Sequence, residues 1–193
     1  GILQSEDIFS AIKCLKMLDE KIKIKKSYCE LHGVGLNGFK TKKNLKLNAG
    51  NSGTLARLIL GLLIHSKKKI TLIGDNSLSK RDFSRVTGPL EKFGAIIKSK
   101  NKSLPVRILG TDFLRPIDYF EKLGSAQCKS AIMLAAIKTP GITKIKAKKS
   151  RNHTELLYKS LKIPIKILNT RKHDYIEIEG QRNFKAFNYY VPG

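Results

Sequence analysis

Two stretches of this chain are apolar on nearly every helical face, and they limit its fold more than any other feature. Leu55 to Ile64 and Ala131 to Ile137 read as helices with almost no polar side. A helix hydrophobic all round belongs in the middle of a core, covered on every side by other elements. Each follows a run of small polar residues. The first is Asn48-Ala49-Gly50-Asn51-Ser52-Gly53-Thr54, and the second is Gly124-Ser125-Ala126-Gln127-Cys128-Lys129-Ser130. Such a helix start offers unpaired backbone N–H groups and the positive end of the helix dipole, a setting for an anion. Two of them predict a ligand with more than one anionic group.

The segments around these helices repeat. Ser5, Ser79 and Ser150 each open an amphipathic pattern, carried by Ile8, Ile12, Leu15 and Leu18, by Phe83, Val86, Leu90 and Phe93, and by Leu156, Leu157 and Leu161. Each Ser can cap the helix it precedes. Alternating strands follow: 21–25 and 28–32, 95–98 and 106–109, 165–168 and 175–178. Strands at 69–74 and 143–147 follow the two apolar helices. The unit is thus buried helix, strand, amphipathic helix, two strands, repeating every ~70 to 75 residues. One copy lacks its buried helix, and one is due where the chain stops at Tyr190-Val191-Pro192-Gly193. Three such units closing about a shared axis predict an α/β prism, with buried helices inside and sheets outside.

Composition narrows the class. A chain of 193 residues can bury a real core, and residues 1–193 are expected to form one domain. The longest apolar run, Leu58 to Ile64, is far below the ~20 residues a membrane span needs. The start has no charged n-region or h-region and lacks Met, which predicts a piece of a longer cytoplasmic protein. Cys14, Cys29 and Cys128 are odd in number and form no C-x-x-C pair, and the four histidines form no H-E-x-x-H. Neither a disulfide framework nor a metal site is expected. The net charge of +23 raises nucleic acid as a partner. Its lysines are spread in separate runs, however, and the eight Phe and six Tyr do not interleave with them as stacking platforms would. Long-range attraction for small anions is the simpler consequence.

Arg57 lies in the first apolar helix, and Arg81 and Arg151 open two of the amphipathic ones. Arginine presents a planar fork that matches phosphate and carboxylate. Gln127 can donate and accept, so it can orient a hydroxyl and an anion together. Ser125 and Ser150 can bind phosphate, though capping is the commoner role of each. No P-loop occurs. No acid–base constellation is visible: Glu155 and Asp82, the nearest candidates, read as helix-start charges.

At these residues the chain resembles the 5-enolpyruvylshikimate-3-phosphate (EPSP) synthase family, the 3-phosphoshikimate 1-carboxyvinyltransferases. Four stretches carry the resemblance in order: 49–54 with Arg57, 74–81, 124–131 and 150–155. It spans nearly the whole chain but about half of such an enzyme, by repeat count. The resemblance implies a two-lobed transferase with three repeats per lobe. Its lobes close on shikimate 3-phosphate and phosphoenolpyruvate, and it needs no metal or organic cofactor. The 5-hydroxyl attacks the enol carbon, and the tetrahedral intermediate eliminates phosphate, a step toward chorismate and the aromatic amino acids. Carried over by motif, Ser125, Ala126 through its backbone, Gln127, Ser150 and Arg151 would meet shikimate 3-phosphate. Gly53, Arg81 and Gln127 would meet phosphoenolpyruvate. Gly53 would let the enolpyruvyl group approach, and in the family this glycine bears on glyphosate sensitivity, so a sensitive-type site is expected.

Two departures stand out. Asp82 follows Arg81 where the family usually has Pro, and a carboxylate there could pair with Arg81 and weaken its hold on anions. Asn152 stands where Asp is common in some branches. The family's Lys-Ser-Arg cluster is expected before this chain begins, and its acid–base residues after Gly193. That makes the chain an insertion-like N-terminal lobe, a monomer with its missing C-terminal lobe as partner and no turnover alone. The related UDP-N-acetylglucosamine enolpyruvyl transferases share the fold and chemistry, but the Gly-Ser-Ala-Gln motif favours the shikimate branch. A basic RNA-binding module rests on charge alone, and a purely structural lobe is the third alternative.

Overall fold

The protein is described here by a computed structural model covering residues 3–19, 21–25 and 28–181. The chain opens with helix α1 (Glu6–Met17) and the antiparallel pair β1 (Lys21–Ile24) and β2 (Cys29–His32). Ser5 caps α1 as expected, its hydroxyl accepting from the Ile8 N–H at 3.4 Å.

Two copies of one larger unit follow. The first runs β3 (Leu45–Asn48), α2 (Gly53–Leu63), β4 (Ile70–Ile73), α3 (Ser84–Lys92), β5 (Ile96–Lys100) and β6 (Ser103–Leu109). The second runs β7 (Asp118–Glu121), α4 (Ala126–Lys138), β8 (Gly141–Lys148), α5 (His153–Ser160), β9 (Ile165–Asn169) and β10 (His173–Gly180). Their sheets have matching orders, β3-β4-β6-β5 and β7-β8-β10-β9. In each sheet the first pair is parallel and the others antiparallel. Parallel neighbours need a crossover, and the apolar helices α2 and α4 are those crossovers. Each full unit thus carries a leading strand, β3 or β7, beyond the expected set. The region 190–193, where a further buried helix was expected, lies outside the described residues.

The repeated-unit α/β arrangement, buried helices inside and sheets outside, is the one expected. The core runs from Cys14 and Leu18 of the α1 segment through α2 and α4 to Ile176 and Ile178 of β10. Strands show the period-2 pattern of a one-faced sheet: Leu104, Val106 and Ile108 of β6 are buried between exposed neighbours. α2 and α4 touch almost backbone to backbone at Gly61, where a Cβ would stand 2.2 Å from the Ala131 carbonyl oxygen.

Two expected caps are corrected. Ser79 sits in a short 3-10 turn, Leu78–Lys80, and donates to the Gly74 carbonyl at 3.2 Å, while α3 starts only at Ser84. Ser150 lies ahead of α5, whose N-cap is Asn152. Cys14 and Cys128 are buried free thiols, and Cys29 is partly exposed. Among the described residues no helix is long and apolar enough to cross a membrane.

Candidate functional site

The starts of α2 and α4 lie side by side because the two crossovers pack against each other. At the first, the Asn48 side chain accepts from the Gly50 N–H at 2.9 Å, turning the chain out of β3. The Ser52 hydroxyl then caps α2 by accepting from the Leu55 N–H at 3.2 Å. That uses one donor of the first turn, and a capped start still carries the positive end of the dipole.

The loop after β4 folds over this start. The Asp75 N–H donates to the Gly50 carbonyl, and the Asp75 carboxylate accepts from the Leu78 N–H at 2.7 Å and from the Asn51 side chain. The Leu78 N–H, then the Asn51 amide, hold the Asp75 carboxyl below its ordinary range, with Arg81 adding to the effect. The loop delivers Arg81 to Gly53. An added Cβ on Gly53 would stand 2.9 Å from Nη1 of Arg57 and 2.9 Å from Nη1 of Arg81. Two guanidinium groups therefore converge on the space that the missing side chain leaves. Arg57 is further held by the Gly53 carbonyl at 3.2 Å and by the face of the buried Phe83 ring, 5.4 Å from its centroid. At a separation of about 5 Å two unit charges repel by roughly 1 to 3 kcal/mol, depending on the local dielectric. A bound anion would relieve that repulsion.

Gln127 joins the two helix starts. Its Oε1 accepts from Arg57 at 2.8 Å, and its Nε2 donates to the Thr54 hydroxyl at 2.7 Å. Ser125 caps α4, its hydroxyl accepting from the Cys128 N–H at 3.2 Å. The buried Glu121 at the end of β7 accepts from the Ser125 N–H at 2.9 Å and pairs with Arg85. Gly124 lies against the end of β8, where a Cβ would stand 3.1 Å from the Lys149 carbonyl oxygen. That places Ser150 beside the α4 start. The Ser150 hydroxyl oxygen is buried with no hydrogen-bond partner among the described residues, an open donor that a phosphate oxygen could use. Behind it, Ser130 and Thr154 share a hydrogen bond at 2.7 Å, and the buried Lys129 and Glu155 form an ion pair between α4 and α5.

The structure thus brings Gly53, Arg81 and Gln127 into one cluster, and Ser125, Ala126 and Ser150 into a second one sharing Gln127. Arg151 is exposed and makes no hydrogen bond or ion pair to a described residue. Asp82 turns from Arg81 to Ser84, accepting from its N–H at 2.6 Å. Hydrogen bonding from the Ser84 side chain and then its N–H, with Lys102 and Arg85 nearby, holds its carboxyl below the ordinary range. Glu155 does sit in the first turn of α5, but as the buried partner of Lys129 and not as a solvated helix-start charge. Sequence reasoning missed Glu121, since β7 was not read as a strand, and it left Thr54 and Arg57 out of the ligand set. The assembled groups are cations and hydrogen-bond donors, which bind and orient anions. Among the described residues no group of three or more His, Cys, Asp or Glu is placed to hold a metal ion.

The family model for EPSP synthase (3-phosphoshikimate 1-carboxyvinyltransferase) matches residues 1–193. The 3-phosphoshikimate 1-carboxyvinyltransferase of Streptococcus mutans is 38% identical over 196 residues, covering 100% of this chain and 45% of that protein. The one of Vesicomyosocius okutanii is 40% identical over 193 residues, covering 100% and 43%. The solved EPSP synthase of Acinetobacter baumannii superposes with a TM-score of 0.84 at 32% identity, covering 95% of this chain and 41% of that one. The chain spans less than half the length of these relatives.

Proposed function

Because the chain belongs to the EPSP synthase family, we propose that its 193 residues are the substrate-binding lobe of a 3-phosphoshikimate 1-carboxyvinyltransferase. Such an enzyme moves the enolpyruvyl group of phosphoenolpyruvate to the 5-hydroxyl of shikimate 3-phosphate and releases phosphate. The observation that carries this reading is the convergence of Arg57 and Arg81 on the side-chain-free face of Gly53, joined through Gln127 to the α4 start. A phosphate or carboxylate seated there would take bidentate contacts from two forks at once. The α4 start with Ser125 and the backbone of Ala126, and the open hydroxyl of Ser150, suit the phosphate of the second substrate. Arg151, exposed and without a partner among the described residues, can swing onto it. Gln127 already uses both ends of its amide, so ligand contact requires it to exchange Thr54 or Arg57 for substrate.

This lobe's share of the reaction is binding and orientation. The groups that move protons belong to a second lobe, and the two act together as a monomeric, cytoplasmic enzyme on small anions, not nucleic acid. The isolated chain accordingly gives no turnover, for lack of facing charges that stabilise the transition state. An amide-resolved NMR titration of the chain with shikimate 3-phosphate tests the reading. Saturating shifts centred on Ser125, Gln127, Ser150 and Arg151 are expected. Saturation elsewhere, or the same weak drift at every surface lysine, would count against it.

A further inference from the structure

At the far end of α2, about 15 Å from Gly53 by the helical rise, lies a cavity of about 410 Å³ that the site above does not use. The segment from Gly38 to Thr41 roofs it, and the ends of α2 and α4 form its floor. Lys40, Lys67, Lys68 and Lys138 line it together with His65 and Asp112. Two observations set it apart from an ordinary lysine-rich surface. The His65 Nδ1 is buried and has no hydrogen-bond partner among the described residues. The ammonium of the half-buried Lys138 is pressed into the wall, 2.9 Å from where a Cβ on Gly38 would stand.

Charge can be counted around the whole cavity. Four lysines face one carboxylate, Asp112, which bonds Lys67 at 2.6 Å. The C-terminal ends of α2 and α4 contribute roughly half a negative charge each. Helix-end compensation and Asp112 therefore balance about two of the four cations and leave about two. The remaining positive charge disfavours protonation of His65, whose pKa burial and Lys138 push down to about 3. It also acts on Lys138, whose pKa is lowered mainly by burial and further by Lys67, against the pull of Asp112.

We propose that this cavity is a second anion site, taking a compact phosphate compound of charge two or more, independently of the α2 and α4 start cluster. Lysines act there as point charges on phosphate oxygens, and the His65 Nδ1 can donate to them in the neutral tautomer that carries its proton there.

The test is an amide-resolved NMR titration of the chain with inorganic pyrophosphate, following the His65 ring as well. Saturating shifts at Gly38, Thr41, Ser66 and Lys138 are expected, with the His65 titration moving upward in pH. Lys138→Gln should weaken binding at least tenfold. Asp112→Asn, which touches no buried group, should tighten it severalfold and serves if the first variant fails to fold. Shifts that never saturate, that saturate only at Gly53, Ser125 and Ser150, or that stay the same in both folded variants would overturn the proposal. Shikimate 3-phosphate binding at the α2 and α4 starts is read by the earlier titration, so either reading can fail without the other.

Discussion

Gly53 matters for what occupies the space beside it. Adding one methyl there forces both the Arg57 and the Arg81 guanidinium aside, since each lies 2.9 Å from the new atom. As the first residue of α2, Gly53 can become alanine with little change in helix stability, since the advantage of alanine over glycine, up to about 1 kcal/mol, belongs to helix interiors. Gly53→Ala should therefore change the melting temperature little while, on the proposed function, weakening phosphoenolpyruvate binding roughly tenfold, a loss of about 1.4 kcal/mol. Calorimetric titration alongside thermal melting would separate the two effects. His65 makes a different prediction. Its pKa falls from the ordinary 6.5 to about 3 in the fold, so the unfolded chain binds the extra proton first. Stability from this group is complete above pH 6.5 and is lost as pH falls toward 3, by at most about 1.4 kcal/mol per pH unit. Urea unfolding across that window in phosphate-free buffer should lose this slope in His65→Phe.

α4 and α5 are joined by charge as well as by packing. Lys129 and Glu155 are both buried, and removing one partner strands the other. Lys129→Met or Glu155→Leu alone should cost about 3 to 5 kcal/mol, and the double variant far less, because a buried pair gains little over apolar replacements. Urea unfolding of all three checks this; equal losses in singles and double would refute it. The pair was invisible in sequence, since a lysine in a chain of +23 reads as surface and its apolar surroundings come from another helix. Five helices were legible, three from their amphipathic period and two, α2 and α4, from nearly unbroken apolar runs. β3 and β7 were not: β3 lies inside a lysine run, and β7, Asp118-Tyr119-Phe120-Glu121, shows no alternation of apolar and polar residues. Their role as parallel partners of β4 and β8 depends on contacts across a crossover that no local pattern records. Ser79 and Ser150 misled for a related reason: each has the residue type of a cap, but a turn or strand end intervenes before the helix.

Across the whole molecule, the repeat was readable from spacing, while the site was readable only in its parts. Sequence supplied the two small-residue helix starts; it could not show that Gln127 bridges them or that two arginines meet over one glycine. That convergence follows from α2 and α4 running side by side with their starts together, a contact permitted by Gly61. The shared start also carries a built-in reporter. Cys128 is buried in the first turn of α4, behind the Ser125 cap, and Cys14 is buried with its thiol donating to the Asn48 carbonyl at 3.3 Å. Cys29 is partly exposed. An alkylating reagent should therefore label Cys29 promptly and the other two only through opening events, on the timescale of local or global unfolding. If substrate closes the α4 start, shikimate 3-phosphate will slow modification of Cys128 while leaving Cys29 unchanged. The chain's own thiols would then time, residue by residue, how often the empty lobe breathes.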